Sequence, residues 1–509
     1  MKPSQRVFIN TMAQYGRTII NMVLSLYTVR LVLASLGQSD YGLYSLVAGV
    51  VAMLAFITNS LVGTTQRFVS FYLGKGDDNK TKKVFNNCLV VHLLLGAIVV
   101  LCLIVLAPVF FDGFLNIPEG RESAAVEVYY LVAFMLFFTF VTSPYKALLT
   151  SHENIIYLSI VEIADALLKV ILVLIMSVSD LDKLVFYAYI MFGIQCFNFL
   201  ALSIYCYIKY SECSYPDVRK IDKSFLLELF TFAGWRIYGT LCISIRQQGI
   251  AIFLNKIYGT IMNAAWGIGS QLSGYTQLLS SSVVNAITPQ IIKAEGGGDR
   301  KRTIFLSNIL SKITFFLMSL IGIPFLFEVD AILGLWLGTP PEDAAFFSKL
   351  FIISLLIDSM TIGLTHMNNA IGKIGFYTFV MTTPKMLVFV FLFVCLKTDV
   401  YTLQGLFFIY IAIEAFCAFI RIPLIGRQAG FRTQDFMEDV ILREVFPICF
   451  SVATCWVCVN IGDFSLRFVL TIMLSSIVYI IAFYFFGFSK RERGMFNDLF
   501  ASLVSKVRR

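Results

Sequence analysis

Several ionisable side chains stand inside stretches of this sequence that are otherwise apolar, and they are the first candidates for chemistry. They are Arg17 and Arg30, the group Glu162, Asp165 and Lys169, the pair Arg236 and Arg246, and singly Lys312, Asp358, Lys385 and Glu414. A charged group at the centre of a bilayer costs about 2.5–3.5 kcal/mol on insertion scales, so residues of this kind mark functional sites by default. Arginine weighs most, because its guanidinium cannot shed its charge to escape burial. Arg236 and Arg246 are separated by about 80° around a helix, so both can face one cavity. Arg17 and Arg30 are separated by about 220°, so on a straight helix they point different ways, with Arg30 nearer the outer end. The guanidinium fork fits phosphate oxygens two at a time. Arg17, Arg30, Arg236 and Arg246 therefore suggest a cationic cavity for an anion. A site for an organic cation or a coupling metal would instead carry acids on the first stretch, whose apolar block has none.

The remaining charges admit two readings. Asp165 and Lys169 lie four apart on one helix face, with Glu162 adjoining. That group is either a proton site coupled to a gradient or a structural ion network. Lys312 and Lys385 are flexible and near enough to the ends of their stretches for the ammonium to reach the interface. Other chemistry finds little support. The 11 cysteines are scattered, Cys455 and Cys458 being the tightest pair, and form no disulfide framework. His92, His152 and His366 stand far apart, so no metal site is expected. No phosphate-binding loop, nucleophile elbow or dinucleotide fingerprint occurs. We therefore expect no catalytic residue, no cofactor and no ATP-driven step in this chain.

Apolar residues make up 58% and charged residues 14% of the 509, and mean hydropathy is +0.80. A soluble domain carries about a quarter charged residues. Here the apolar excess falls into blocks long enough to cross a hydrocarbon core as helix, for which about 20 residues suffice. Strands would alternate polar and apolar positions; these blocks are apolar all round. About fourteen crossings are predicted, near 8–35, 41–63, 86–111, 128–149, 155–178, 184–208, 226–254, 260–285, 304–327, 346–366, 376–396, 404–425, 445–462 and 467–488. Breakers fall between them, at Gly37, Gly74 to Asp78, Pro118, Pro216, Gly296 to Gly298, and Pro340 with Pro341. Arg17 and Arg30 interrupt the first block, and no small-residue cleavage site follows it, so it does not read as a cleavable signal.

Lys and Arg crowd alternate loops, which puts both termini in the cytoplasm. The opposite set of loops holds only Arg121, Lys183, Lys256 and Lys397. The net charge of +8 is mostly this topological signal and needs no nucleic acid to explain it. The chain also repeats itself. Sliding it so that Gly37 falls on Gly259 puts Gly74 on Gly296, Gly76 on Gly298, Asp77 on Asp299, Lys80 on Arg302 and Asn86 on Asn308, without a gap. The expected fold is thus an all-α polytopic membrane protein with two six-helix lobes in pseudo-twofold repeat and two further helices. The lobes would cover 1–210 and 211–430, with the last two helices and a basic cytoplasmic tail in 431–509. Repeated lobes of this kind are a transporter pattern, with the substrate path between halves.

Two segments, SLYTVRLVLASLGQSDYGLY (25–44) and TTQRFVSFYLGKGD (64–77), resemble the polysaccharide and O-antigen flippase family. That family belongs to the multidrug, oligosaccharidyl-lipid and polysaccharide exporter superfamily. The resemblance implies an alternating-access transporter, not an enzyme, in the bacterial inner membrane. It would move an undecaprenyl-diphosphate-linked oligosaccharide to the periplasmic leaflet for O-antigen, capsule or exopolysaccharide synthesis. Sugars would occupy a central hydrophilic cavity and the lipid tail a groove between helices. Membrane lipids are implied partners, and a glycan polymerase or glycosyltransferase is a further one. Related branches, the lipid II flippases and the cation-coupled drug exporters, share the plan. A membrane glycan polymerase or ligase is the alternative from another class, but it would need a larger outside loop than 112–127 or 328–345 provides.

Overall fold

The computed structural model describes residues 3–52, 54–111, 117, 120–213, 216–217, 219, 221–337, 339–397, 403–461, 466–490 and 492–494. Every regular element among these residues is helical. Nine helices among them are long and apolar enough to cross a membrane, and a bent pair adds a tenth. This is a multi-pass membrane protein, as its hydropathy requires. The side chain of Arg30 lies outside the described residues.

The contacts gather the chain into two units, one covering Ile9–Ile237 and the other carrying the chain from Tyr238 onward. The first contains most of α1 (Pro3–Ala52), then α2 (Ala55–Lys75), α3 (Asp78–Val109), α4 (Glu122–Ser151), α5 (Ile155–Ser177), α6 (Lys183–Lys209) and the start of α7 (Lys223–Gly296). α1 is broken at Gly37 (φ 76°, ψ 173°). The expected crossing at 41–63 is itself interrupted, because α1 ends at Ala52 and α2 begins at Ala55. α4 sits at the centre, packed on α2, α3 and α6, and its buried Tyr129 hydroxyl donates to the Leu103 carbonyl at 2.8 Å. Arg121 at the foot of α4 ties Asp40 of α1 to Asp182, the residue that caps α6.

The linker after α6 is tied down by side chains of α3. Asn86 exchanges two hydrogen bonds with the Asp217 backbone, at 3.0 and 2.8 Å, and the Asn87 carbonyl accepts from the Asp222 amide at 3.1 Å. His152 meets the linker's Glu212 at 2.9 Å while stacking on Tyr210 at 4.1 Å between centroids. That hydrogen bond holds the Glu212 carboxyl below its ordinary value against the opposing effect of burial. The first unit therefore extends past residue 210, through the linker and into α7.

α7 keeps helical backbone across the turn expected between 254 and 260. Yet Gln247 Nε2 donates to Ser270 Oγ at 2.7 Å, and a straight helix would hold those residues about 35 Å apart. The chain must therefore double back between them; of the two expected crossings, 226–254 matches a span long and apolar enough to cross a membrane. Trp266 on the second arm is buried with Phe253 and Leu254 of the first.

The second unit continues with α8 (Arg300–Leu337), α9 (Ala344–Ser359), α10 (Ile362–Ile371), α11 (Ile374–Lys397), α12 (Leu403–Ala429), a short α13 (Thr433–Phe436), α14 (Leu442–Asn460) and α15 (Arg467–Ala482). α8 is its spine and packs on α9, α10, α14 and α15. The last crossing is fixed to it through buried Glu328, which accepts from Arg467 at 3.2 Å and from Thr471 at 2.8 Å.

The repeat is visible in local chemistry. Gly76 and Gly298 both take the left-handed conformation, at φ 68° and 78°, where a side chain would be strained. Directly after them, Asp77 and Asp299 each accept from a backbone amide three residues on, Lys80 and Arg302, both at 3.0 Å. Thr81 and Thr303 then donate to the Asp77 and Asp299 carbonyls. The register found in sequence thus reproduces one capping motif twice.

Candidate functional site

In the first unit several charges pair locally. Arg17 donates to Glu162 at 2.5 Å, the two side chains being 18% and 30% exposed. Lys169 meets Asp165 at 2.7 Å, and Asp165 also accepts from Asn198 of α6 at 2.6 Å. Each carboxylate of the Glu162, Asp165 and Lys169 group therefore has its own cation, and Glu162 serves Arg17 on α1. Arg236 lies flat against α2: a Cβ on Gly63 would fall 2.4 Å from its Nη2, so only glycine leaves room. Arg67, from the second family-like segment, is buried over the rings of Phe68, Phe71 and Phe232 at 4.4, 5.1 and 5.2 Å, with Glu228 at 3.6 Å. Its stem and fork fill aromatic packing.

The second unit holds a different arrangement. Arg246 from α7 donates to Glu414 of α12 and lies over the Tyr410 ring at 4.8 Å. The other oxygen of Glu414 takes Lys385 of α11 at 2.6 Å, and Lys385 stands 3.7 Å from Asp358 of α9. Arg421 of α12 donates to Asp358 at 2.8 Å and to Thr361 at 2.9 Å. Glu414 and Arg421 are two helical turns apart on one face of α12. Five charged side chains from four helices thus form one chain of contacts, with cations outnumbering acids. Burial differs sharply along it: Glu414, Arg421 and Arg246 are 3%, 5% and 9% exposed, whereas Asp358 is 36% exposed. Nε of Arg246 and Nε of Arg421 are buried without a hydrogen-bond acceptor among the described residues.

The network sits at a break in a helix. α9 and α10 meet at a 50° bend, and Asp358 and Thr361 flank it. Discontinuous helices at membrane depth are tolerated where they are buried in protein or line a polar space, and in transporters they form binding sites. The C-terminal end of α9 carries partial negative charge, which Lys385 and Arg421 offset. Removing charges from water costs several kcal/mol each, and mutual pairing repays it only when the charges balance. An excess of cations is left with attraction to spare, which an anion would satisfy.

Sequence reasoning had Lys385 and Lys312 reaching for the interface; both are buried and paired instead, Lys312 with Glu492 at 2.9 Å. It picked out Arg246 with Arg236, and Asp358, Lys385 and Glu414 singly, and it missed Arg421. The seven-residue spacing of Glu414 and Arg421 was the available signal. Arg236 belongs to the first unit and Arg246 to the second. Among the described residues no group of three or more His, Cys, Asp or Glu could hold a metal.

A repeated all-helical membrane fold, with a broken helix beside buried charges, is a pattern found in transporters. Solved structures agree on the fold. A MATE transporter in the bent conformation superposes with a TM-score of 0.73 at 13% identity, covering 84% of this chain and 96% of that one. The Vibrio cholerae MATE transporter VcmN, in a mutant form, gives 0.69 at 17% identity, covering 84% and 97%. A superfamily transporter from Pyrococcus furiosus gives 0.68 at 13% identity, covering 84% and 96%; its binding pocket is described as having reverse polarity, suggesting a different function. No curated protein matches the sequence significantly. The model of the polysaccharide biosynthesis protein family matches residues 4–295, more than half of the chain, and the chain belongs to that family. The resemblance read from the segments at 25–44 and 64–77 is thereby borne out.

Proposed function

We propose that the protein is a flippase, not an enzyme, that carries an undecaprenyl-diphosphate-linked oligosaccharide across the bacterial inner membrane by alternating access. The single observation that carries this reading is the surplus of cations in the Arg246, Lys385, Arg421, Asp358 and Glu414 network beside the α9–α10 break. A diphosphate brings the compensating negative charge, and a guanidinium fork binds it through two oxygens at once. The family membership supplies the class of cargo. Arg17 and Arg236 of the first unit are further candidate anion contacts, Arg17 being already neutralised by Glu162. Both termini face the cytoplasm. A drug/cation exporter would need the opposite balance of charge.

The test is a strain deleted for the protein and complemented with wild type or Arg246→Ala at matched abundance. The reading expects lipid-linked oligosaccharide to accumulate, untranslocated, in the deletion and in Arg246→Ala but not in wild type. A deletion strain that builds its surface glycan normally, with no accumulated intermediate, would refute it.

A further inference from the structure

Beyond the charged network lies a second polar cluster, in the trailing helices, that transport of an anion does not use. Glu444 of α14 is 1% exposed, and neither of its carboxyl oxygens has a hydrogen-bond partner among the described residues. It faces α8, α15 and the start of the C-terminal segment. From α8 comes Lys312, 2% exposed, and from beyond α15 comes Glu492; both act electrostatically on Glu444. Tyr479 of α15, 0% exposed, feels the Glu444 charge in turn. The charged groups on the turn preceding α14, Glu438 and Asp439, are exposed, and Asp439 pairs with Arg443.

The ammonium of Lys312 is already committed. It donates to both oxygens of Glu492 at 2.9 Å, and Glu492 is fixed by a reciprocal cap with Ser489, at 2.7 and 3.3 Å. Glu444 is therefore a second carboxylate beside a single, occupied cation. Ionised, the three groups sum to one uncompensated negative charge in a water-poor interior, which is far costlier than the neutral form. A metal cation would have to displace the lysine; a proton would not. A π-turn at Met437–Ile441 directly precedes α14, and α15 ends in another at Phe483–Gly487. Such turns occur frequently at functional sites.

We propose that Glu444, held between Lys312, Glu492 and Tyr479, is a proton-binding site of the trailing helices. Binding one proton takes the cluster from a net charge of minus one to zero. The claim concerns protonation alone and stands independently of what the protein carries.

Difference infrared spectroscopy on the purified protein in lipid, between alkaline and acidic pH, tests it. Wild type should show the carbonyl band of a protonated, poorly solvated carboxylic acid. Glu444→Gln should lose that band, while Glu328→Gln, which alters a carboxylate paired with Arg467, should keep it. Lys312→Met leaves two acids without a cation, and about twice the band intensity is expected. No such band in wild type, or an unchanged band in Glu444→Gln, would overturn the proposal. Should Glu444→Gln fail to fold, the wild-type and Lys312→Met spectra decide: equal intensities would also overturn it.

Discussion

The two units treat buried charge in opposite ways. In the first, Arg17 has Glu162, Lys169 has Asp165, and Arg121 has Asp40 and Asp182, so these cations are matched locally in part-exposed pairs. In the second, Arg246, Lys385 and Arg421 share two acids, and all but Asp358 are nearly closed off. A matched pair on a helix surface is a staple. A shared, unmatched network at a helix break is poised to take a ligand, because its own acids cannot neutralise it.

The largest effect expected from this contrast follows Glu414→Gln. It strands Arg246 and Lys385 in the interior, at a cost of about 3–5 kcal/mol, read as a fall in abundance and in the unfolding temperature of the solubilised protein. Glu162→Gln, by comparison, leaves a part-exposed arginine and should cost about 1 kcal/mol or less. Equal losses for the two variants would dissolve the contrast between the units.

A smaller effect sharpens it. The double change Asp165→Asn with Lys169→Met removes a matched pair and leaves no orphaned charge, so transport should return to within about twofold of wild type, while each single change does worse. Its dependence on a pH gradient, assayed in reconstituted vesicles, should be that of wild type. If the double variant loses a gradient dependence that wild type has, the pair is a coupling site and not a staple.

The smallest effect concerns the linker. Because His152 keeps the Glu212 carboxyl below its ordinary 4.5, the stability this contact lends is complete above that value and is lost as pH falls through the lowered one. His152→Ala should remove about 0.5–1 kcal/mol at neutral pH and make the unfolding temperature less sensitive to acid over that window. Parallel acid limbs for the two proteins would show the contact to be idle.

Much of this was legible in the sequence, and the boundary is physical. Hydropathy announces crossings, because every lipid-facing turn must be apolar, and the Gly76–Asp77 and Gly298–Asp299 caps are written in adjacent residues. The Asp165–Lys169 pair follows from helical spacing alone. What spacing cannot show is which helices meet. Arg17 and Glu162, or Arg246 and Glu414, lie far apart in sequence, so their pairing depends on packing that no local pattern encodes. Glu328, Glu444 and Glu492 were passed over for a related reason: near the ends of apolar blocks, a charge reads as solvated until neighbouring helices are seen to close over it.

The central claim is that the surplus cation of the second unit, and not the matched charges of the first, binds the cargo. Arg246→Ala isolates it, because Glu414 keeps Lys385 at 2.6 Å and the remaining charges balance. Translocation of lipid-linked oligosaccharide into proteoliposomes should then fall by about tenfold or more, the equivalent of about 1.4 kcal/mol, with the protein still folded. Arg246→Lys should recover only part of the loss, since a point charge replaces a fork. Normal translocation by Arg246→Ala at normal abundance would contradict the account.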